Sequence, residues 1–148
     1  MHGISPIRKI GVILLVGLVA ACSGKPGAAP SSVVNSMQSI ELKQGAGEAL
    51  TAGKMAAVQY TGWLYEAAAA DSKGKQFDSS RNTGQPFRFP VGAGQVIKGW
   101  DQGVVGMKVG GSRRLIIPAD LAYGDRGAGG VIPPGAALVF DIDLIAVE

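Results

Sequence analysis

The stretch that decides the fold is Leu138-Val139-Phe140-Asp141-Ile142-Asp143-Leu144-Ile145, near the end of the chain. Every second residue from Leu138 to Leu144 is apolar, and two of the residues between them are aspartates. Successive side chains of a strand point to opposite faces of a sheet, so this pattern predicts a strand with one buried face. We expect Asp141 and Asp143 to be solvated on the other face rather than to form a catalytic carboxylate pair.

Shorter strand patterns precede this stretch. They cover residues 39–42, 55–65, 87–91 and 113–117. Residues 66–74 include four consecutive alanines, and the pattern is compatible with a bulge, a loop or one helical turn. Residues 121–136 are rich in Gly and Pro, which predicts a loop.

One segment, residues 96–107, has a helical period instead. Its apolar residues Ile97, Trp100, Val104 and Met107 are spaced by three, four and three, as on one face of a short helix. The glycines within it weaken this prediction. Strands around one short helix make an α+β domain with an antiparallel sheet.

The first 22 residues read as an export signal. Arg8 and Lys9 precede the uncharged run 10–21, which is too short for a standard transmembrane helix of ~20 residues. The run ends in Val19-Ala20-Ala21-Cys22, which resembles a bacterial lipobox, and this resemblance implies cleavage before Cys22 and acylation of that cysteine. An ordinary cleaved signal with a chance cysteine is the alternative.

These features divide the 148-residue chain into three parts. We expect a lipoprotein signal peptide at 1–21, an acylated Cys22 with a flexible Gly/Pro/Ser-rich tether at 22–35, and one folded domain at 36–148. The expected location is the cell envelope. By resemblance to known sorting rules, Ser23 favours the outer membrane, with the domain facing the periplasm or the cell surface.

Composition narrows the chemistry of the folded domain. The only histidine and the only cysteine are His2 and Cys22, so the domain has neither residue type. Ser-His-Asp triads, Cys-His pairs and the common zinc sites are therefore excluded from it. Removing Arg8 and Lys9 leaves 12 basic against 11 acidic residues, and no basic stripe with interleaved aromatics suggests nucleic-acid binding.

Four blocks in order resemble the FKBP family of peptidyl-prolyl cis-trans isomerases, the macrolide-binding immunophilins. They are Val58-Gln59-Tyr60-Thr61-Gly62, Phe77-Asp78-Ser79-Ser80-Arg81, Val96-Ile97-Lys98-Gly99-Trp100, and Ala122-Tyr123-Gly124 leading to Ile132-Pro133-Pro134 and Leu138-Val139-Phe140-Asp141. The resemblance implies a twisted antiparallel sheet wrapped around one short helix. It also implies rotation of X-Pro bonds without a metal or cofactor, in a monomer.

The resemblance also implies a pocket between helix and sheet. The residues it assigns to catalysis are Tyr60, Asp78, Trp100, Tyr123 and Phe140, and those it assigns to substrate binding are Phe77, Phe87, Val96, Ile97 and Ile132. Trp100 would be the floor under a proline ring, and Ile97 N–H and the Tyr123 hydroxyl would donate to substrate carbonyls. The implied partners are proline-containing proteins, with macrolides such as tacrolimus or rapamycin as inhibitors.

Some features leave alternatives open. The aromatic residues could be ordinary core and Asp78 an ordinary turn residue. Thr83 stands where some relatives have an arginine that pairs with the aspartate, so that ion pair is absent here or Arg81 replaces it. Ala128 stands where some relatives have a histidine at the rim. A module that binds proline segments without turnover, or a chaperone-like holdase, is the alternative to an isomerase.

Overall fold

The computed structural model describes residues 33–148. The signal peptide, Cys22 and most of the expected tether lie outside these residues. The strands are β1 (Gln38–Lys43), β2 (Met55–Tyr65), β3 (Lys73–Ser79), β4 (Phe87–Pro90), β5 (Ser112–Ile117) and β6 (Leu138–Val147), and the helix is α1 (Lys98–Gly103). Short 3-10 turns lie at Ala70–Ser72, Ser80–Asn82, Ala119–Leu121 and Gly124–Arg126. None of the helices formed by residues 33–148 has the length and apolarity needed to cross a membrane.

The strands form one antiparallel sheet in the order β1-β5-β6-β2-β3, and β4 also pairs with β2. β6 lies at the centre, and its alternating residues Leu138, Phe140, Ile142 and Leu144 are buried. These residues share a hydrophobic core with Trp100 and Val104 of the helical segment. The α+β prediction, with an antiparallel sheet around one short helix, is confirmed.

The helix is shorter than predicted: it spans Lys98–Gly103 rather than residues 96–107. The glycines that weakened the prediction explain how it packs. A Cβ on Gly99 would lie 2.5 Å from the Ile117 side chain, and one on Gly103 would lie 2.6 Å from Leu115. The helix backbone therefore rests directly on β5, which larger residues would prevent. Gly106 then takes a positive φ of 85° beyond the helix end.

Strand β3 was not predicted. Its sequence, Lys-Gly-Lys-Gln-Phe-Asp-Ser, is mostly polar because it lies at the sheet edge and pairs only with β2. The segment 66–74 contains a 3-10 turn at Ala70–Ser72 and then enters this strand. Asp71 and Ser72 both have positive φ, so the turn is backbone-strained.

The outer face of the sheet, opposite the helix, has a cluster of charges around Asp141. Arg114 Nε donates to Asp141 at 2.7 Å, and Lys73 Nζ donates to it at 2.7 Å from the edge strand. Lys73 also lies 4.1 Å from the centre of the Trp63 ring. The prediction that Asp141 and Asp143 are simply solvated is wrong: both are half-buried and paired, Asp143 with Arg81 and Ser112. The pairing satisfies carboxylates that burial alone would penalise.

This cluster predicts acid sensitivity. Burial raises the pKa of Asp141, but hydrogen bonds from Arg114 and Lys73 outweigh it and place the pKa below its ordinary value of 3.8. A carboxyl whose pKa is lowered by folding stabilises the native state above its unfolded pKa, and this stability is lost as the pH falls through the folded pKa. The free energy of unfolding should therefore decrease as the pH falls below about 4.

Lys73→Met should lower the free energy of unfolding at neutral pH by ~1–2 kcal/mol and shift the acid-unfolding midpoint to higher pH. Lys75→Met, on the same strand, is the control because Lys75 is exposed and has no ion pair within residues 33–148. Acid titrations followed by circular dichroism measure both variants. Identical midpoints for Lys73→Met and the unmodified protein would show that the pair contributes nothing.

Candidate active site

A cavity of about 180 Å³ lies between α1 and the inner face of the sheet. An apolar cavity of ~150 Å³ is large enough to hold a benzene ring, so this one has room for a five-membered proline ring. The residues that line it are Tyr60, Phe77, Asp78, Phe87, Gln95, Val96, Ile97, Trp100, Tyr123 and Phe140. Most are aromatic or aliphatic, so the cavity favours a compact apolar group.

Trp100 is the floor of this cavity. It is in the first turn of α1 and is only 4% exposed. Its ring is close to perpendicular to those of Tyr60 and Phe140, with centroid distances of 4.9 and 5.2 Å. The indole N–H is buried without a hydrogen-bond partner among residues 33–148. Aromatic edge-to-face packing therefore positions Trp100, rather than a hydrogen bond.

The polar side of the cavity is built on Asp78. The Tyr60 hydroxyl donates to Asp78 Oδ2 at 2.6 Å, and the Ser79 N–H donates to Oδ1 at 2.8 Å. Ser80 Oγ accepts the Tyr60 N–H at 2.9 Å, which ties the end of β3 to the middle of β2. These hydrogen bonds hold β2 and β3 together so that the Asp78 carboxylate lies against the Tyr60 phenol.

Both tyrosine hydroxyls at the cavity stay protonated at neutral pH. Burial raises the pKa of Tyr60, and the hydrogen bond to Asp78 raises it further. Burial is also the main cause that raises the pKa of Tyr123, with a smaller effect from the charge of Asp78. Tyr123, which is 40% exposed at the mouth, therefore remains a hydroxyl donor.

The Ile97 backbone is placed to bind a carbonyl. Ile97 precedes the helix, and its C=O accepts from the Trp100 N–H at 3.0 Å. Its own N–H has no backbone acceptor among residues 33–148. The donor expected to face a substrate carbonyl is therefore available.

Nine of the ten predicted pocket residues line the cavity together. The exception is Ile132, which is 5% exposed and belongs to the core. The predicted contact of Ile132 with substrate stays a prediction; its backbone exchanges hydrogen bonds with Ala128 and so closes the loop after Tyr123. Sequence reasoning also missed Gln95, although it directly precedes the block that begins at Val96.

Arg81 does not replace the missing arginine partner of Asp78. Its guanidinium pairs with Asp143. Thr83 donates its hydroxyl to the Ser80 C=O at 2.8 Å and so closes the 3-10 turn. Asp78 consequently has only neutral hydrogen-bond donors among the described residues.

The arrangement suits rotation of an amide. Residues 33–148 contain no cluster of three or more side chains able to hold a metal ion. What they provide is an apolar cavity, a rigid aromatic floor and hydrogen-bond donors at the mouth. Such a site defines a class of protein that binds a ring of proline size and the carbonyls beside it.

Comparison with known proteins shows the family to which the chain belongs. The family model for FKBP-type peptidyl-prolyl cis-trans isomerases matches residues 46–145. The FK506-binding protein of Streptomyces anulatus is 56% identical over 108 residues, which are 72% of this chain and 82% of the relative. The peptidyl-prolyl cis-trans isomerase FPR2 of Saccharomyces cerevisiae is 54% identical over 96 residues, 65% of this chain and 67% of the relative.

A solved structure agrees with both. The crystal structure of AtFKBP13 superposes with a TM-score of 0.65 at 40% identity, covering 79% of this chain and 98% of that one. The chain belongs to the FKBP-type peptidyl-prolyl cis-trans isomerase family, and its activity is that of a peptidyl-prolyl isomerase.

Gly62 tests the shape of the cavity. It pairs with Phe140 across β2 and β6, and a Cβ there would lie 2.7 Å from Phe140 Cε1 and 2.8 Å from Phe77 Cζ. Gly62→Ala should displace both rings, lower kcat/KM for isomerisation roughly tenfold and cost ~1–3 kcal/mol of stability. A peptide isomerisation assay and denaturant unfolding measure the two effects.

Gly84→Ala is the control for Gly62→Ala. Gly84 has a φ of 69° and open space around its Cα, so the variant should cost roughly 1 kcal/mol without touching the cavity. Its kcat/KM should be unchanged. If Gly62→Ala also kept full activity, the two phenylalanines would not shape the site.

Proposed function

We propose that this isomerase accelerates X-Pro rotation in proteins that fold in the cell envelope, and that an acylated Cys22 anchors it to the membrane. The observation that carries the catalytic part is the cavity of about 180 Å³ with Trp100 as its floor and Tyr60 bonded to Asp78 at its side. The anchor is supported by the basic start, the apolar run and Val19-Ala20-Ala21-Cys22.

In the proposed mechanism the proline ring sits on Trp100, between the phenylalanine walls. Ile97 N–H and the Tyr123 hydroxyl hold carbonyls on either side of the rotating bond. A planar amide separates charge between oxygen and nitrogen, and the twisted transition state loses much of this separation. An apolar cavity therefore disfavours the planar form relative to the twisted form.

A site of this kind can supply the stabilisation that catalysis of amide rotation requires. Amide rotation has a barrier of ~18–20 kcal/mol. A rate gain of roughly 10⁴ to 10⁶ requires about 5–8 kcal/mol of differential stabilisation. Desolvation of the amide and three or four oriented contacts can supply this without a nucleophile, metal or cofactor.

We also propose that macrolides such as tacrolimus or rapamycin occupy the same cavity. Several relatives bear the name FK506-binding protein, and the apolar lining suits a bulky apolar ligand. Titration with the macrolide, followed by the fluorescence of the two tryptophans, tests this. A change that disappears in Trp100→Leu but persists in Trp63→Phe supports the proposal, and no change in the unmodified protein overturns it.

The anchor is tested in the full chain expressed in a bacterial host. Mass spectrometry should find a mature N-terminus at Cys22 that carries acyl chains, and membrane fractions should contain the protein. Several chains are needed for stable attachment because one chain is marginal. Cys22→Ser should release the protein from membranes while its isomerase activity is retained. An unacylated Cys22 would leave only an ordinary cleaved signal.

The outer membrane is the proposed location, with the domain facing the periplasm or the surface as a monomer. Separation of inner and outer membranes on a sucrose gradient tests which membrane holds the protein. Ser23→Asp is the variant expected to move it to the inner membrane. Sedimentation in detergent tests whether the protein is a monomer.

A further inference from the structure

The cavity has a single charged side chain. Of the ten lining residues, Asp78 is the only one with a carboxylate, none is Lys or Arg, and the others are apolar, aromatic or, for Gln95, an amide. The Asp78 side chain is at the exposed mouth rather than at the floor. Any substrate residue held at the mouth therefore meets one negative charge.

No cation neutralises this charge within the described part of the chain. None of the ion pairs among residues 33–148 includes Asp78. Two basic residues that flank Asp78 in sequence pair with other carboxylates, Arg81 with Asp143 and Lys73 with Asp141. The donors that Asp78 does have, the Tyr60 hydroxyl and the Ser79 N–H, are neutral. They hold the carboxylate in place and leave its charge unchanged.

The field of this carboxylate extends across the mouth. Burial is the main reason that the pKa values of Tyr60 and Tyr123 are raised, but the charge of Asp78 raises both further. These two hydroxyls come from β2 and from the loop before β6, so the negative potential reaches more than one side of the cavity.

The open groove beside the cavity has no excess of positive or negative side chains. It shares Val96, Ile97 and Tyr123 with the cavity. Its charged residues are two cations and two anions: Lys98, Arg126, Asp120 and Asp125. Any selection of substrates by charge is therefore expected to come from Asp78, at the mouth of the cavity.

We propose that Asp78 makes this isomerase prefer proline segments in which the residue before proline is cationic, Lys or Arg, over those in which it is acidic. The inference rests on the proposed function, because it assumes that the proline ring occupies the cavity. The preceding residue X is then held at the mouth, since the bond that rotates is X-Pro. The carboxylate attracts a cationic side chain there and repels an acidic one, even in a water-like medium.

The purified protein is assayed with three peptides that differ only at X: Lys-Pro, Gln-Pro and Glu-Pro. The expected ratio of kcat/KM between Lys-Pro and Glu-Pro is roughly fivefold at low salt, with Gln-Pro between them. In about 1 M salt the Debye length is near 3 Å, and the ratio should approach one. A ratio of one at low salt, with Gln-Pro still turned over, would overturn the preference alone.

Gln95 provides charge variants at the same cavity without altering Asp78. Gln95→Lys adds a cation and should reduce the Lys-Pro to Glu-Pro ratio, whereas Gln95→Glu should increase it. Gln44→Lys and Gln44→Glu are the controls, because the exposed Gln44 lines a separate depression. They make the same changes in net charge and should leave the ratio unchanged.

If the Gln44 variants moved the ratio as far as the Gln95 variants, net charge rather than the mouth would be responsible, and the proposal would be wrong. Absence of turnover with all three peptides would overturn the proposed function and this preference with it. The two failures are therefore distinguishable by the Gln-Pro peptide.

Discussion

Trp100→Ala should remove most of the isomerase activity, with kcat/KM lowered at least a hundredfold. The substitution deletes the floor of the cavity and its edge-to-face contacts with Tyr60, Phe87 and Phe140. Removing a buried tryptophan also costs about 3–5 kcal/mol of stability, which is large against a typical total of ~5–15 kcal/mol. A protease-coupled peptide assay and urea unfolding measure the two effects.

Because Trp100→Ala could unfold the protein, Trp100→Leu is the second variant. Leucine refills part of the volume and keeps the site apolar, but it does not offer a flat face to a proline ring. We expect a folded protein with a clear loss of kcat/KM, about tenfold or more. Full activity in folded Trp100→Leu would remove Trp100 from the catalytic machinery.

The other tryptophan is the matched control. Trp63 is on the outer face of the sheet against Lys73, away from the cavity lining. Trp63→Ala should lower stability through loss of packing and of the cation–π contact, and it should leave kcat/KM unchanged within about twofold. Comparison of the Trp63 and Trp100 variants therefore distinguishes a loss of stability from a loss of catalysis.

Asp78→Val should lower kcat/KM by about tenfold or more while the fold remains intact. Asp78 is exposed, so its removal leaves no cavity in the core, but Tyr60 and the Ser79 N–H each lose an acceptor. The cost in stability should be about 1–2 kcal/mol. Circular dichroism checks the fold, and the peptide assay checks the activity.

Two further variants identify how Asp78 acts. Asp78→Asn keeps an oxygen acceptor but removes the charge, whereas Tyr60→Phe removes the hydroxyl that donates to it. If Asp78 works by orienting Tyr60, the loss in the double variant Asp78→Val/Tyr60→Phe should be smaller than the sum of the two single losses in free energy. Additive losses would mean that the carboxylate acts on the substrate independently of Tyr60. Unchanged activity in Asp78→Val would exclude Asp78 altogether.

The strands that border the core were the predictable part of the fold. In β6, burial alternates from Phe140 to Leu144, so alternation along the sequence reports the buried face directly. β3 has no such signal, because an edge strand of mostly polar residues resembles a loop in sequence. The helix was overestimated because the apolar period continues to Met107, whereas the helix ends at Gly103 and Gly106 takes a positive φ just beyond it.

The candidate site was predictable where residues belong to short ordered blocks. Tyr60, Asp78 and Trp100 come together because β2, β3 and α1 each deliver one block to the same cavity. Ile132 also belongs to one of these blocks, but its side chain is buried in the core. Only the path of the loop that carries it decides this, and the sequence does not show that path. The pairing of Asp141 with Lys73 depends on a strand that the sequence does not reveal.

The most direct measurement is the rate of cis-to-trans conversion of a Leu-Pro peptide in the presence of the purified protein, with and without a macrolide. Catalysis by the cavity around Trp100 predicts acceleration proportional to the protein concentration, blocked by stoichiometric macrolide and lost in Trp100→Leu. Binding of the peptide without acceleration would refute it and would leave a proline-binding module instead.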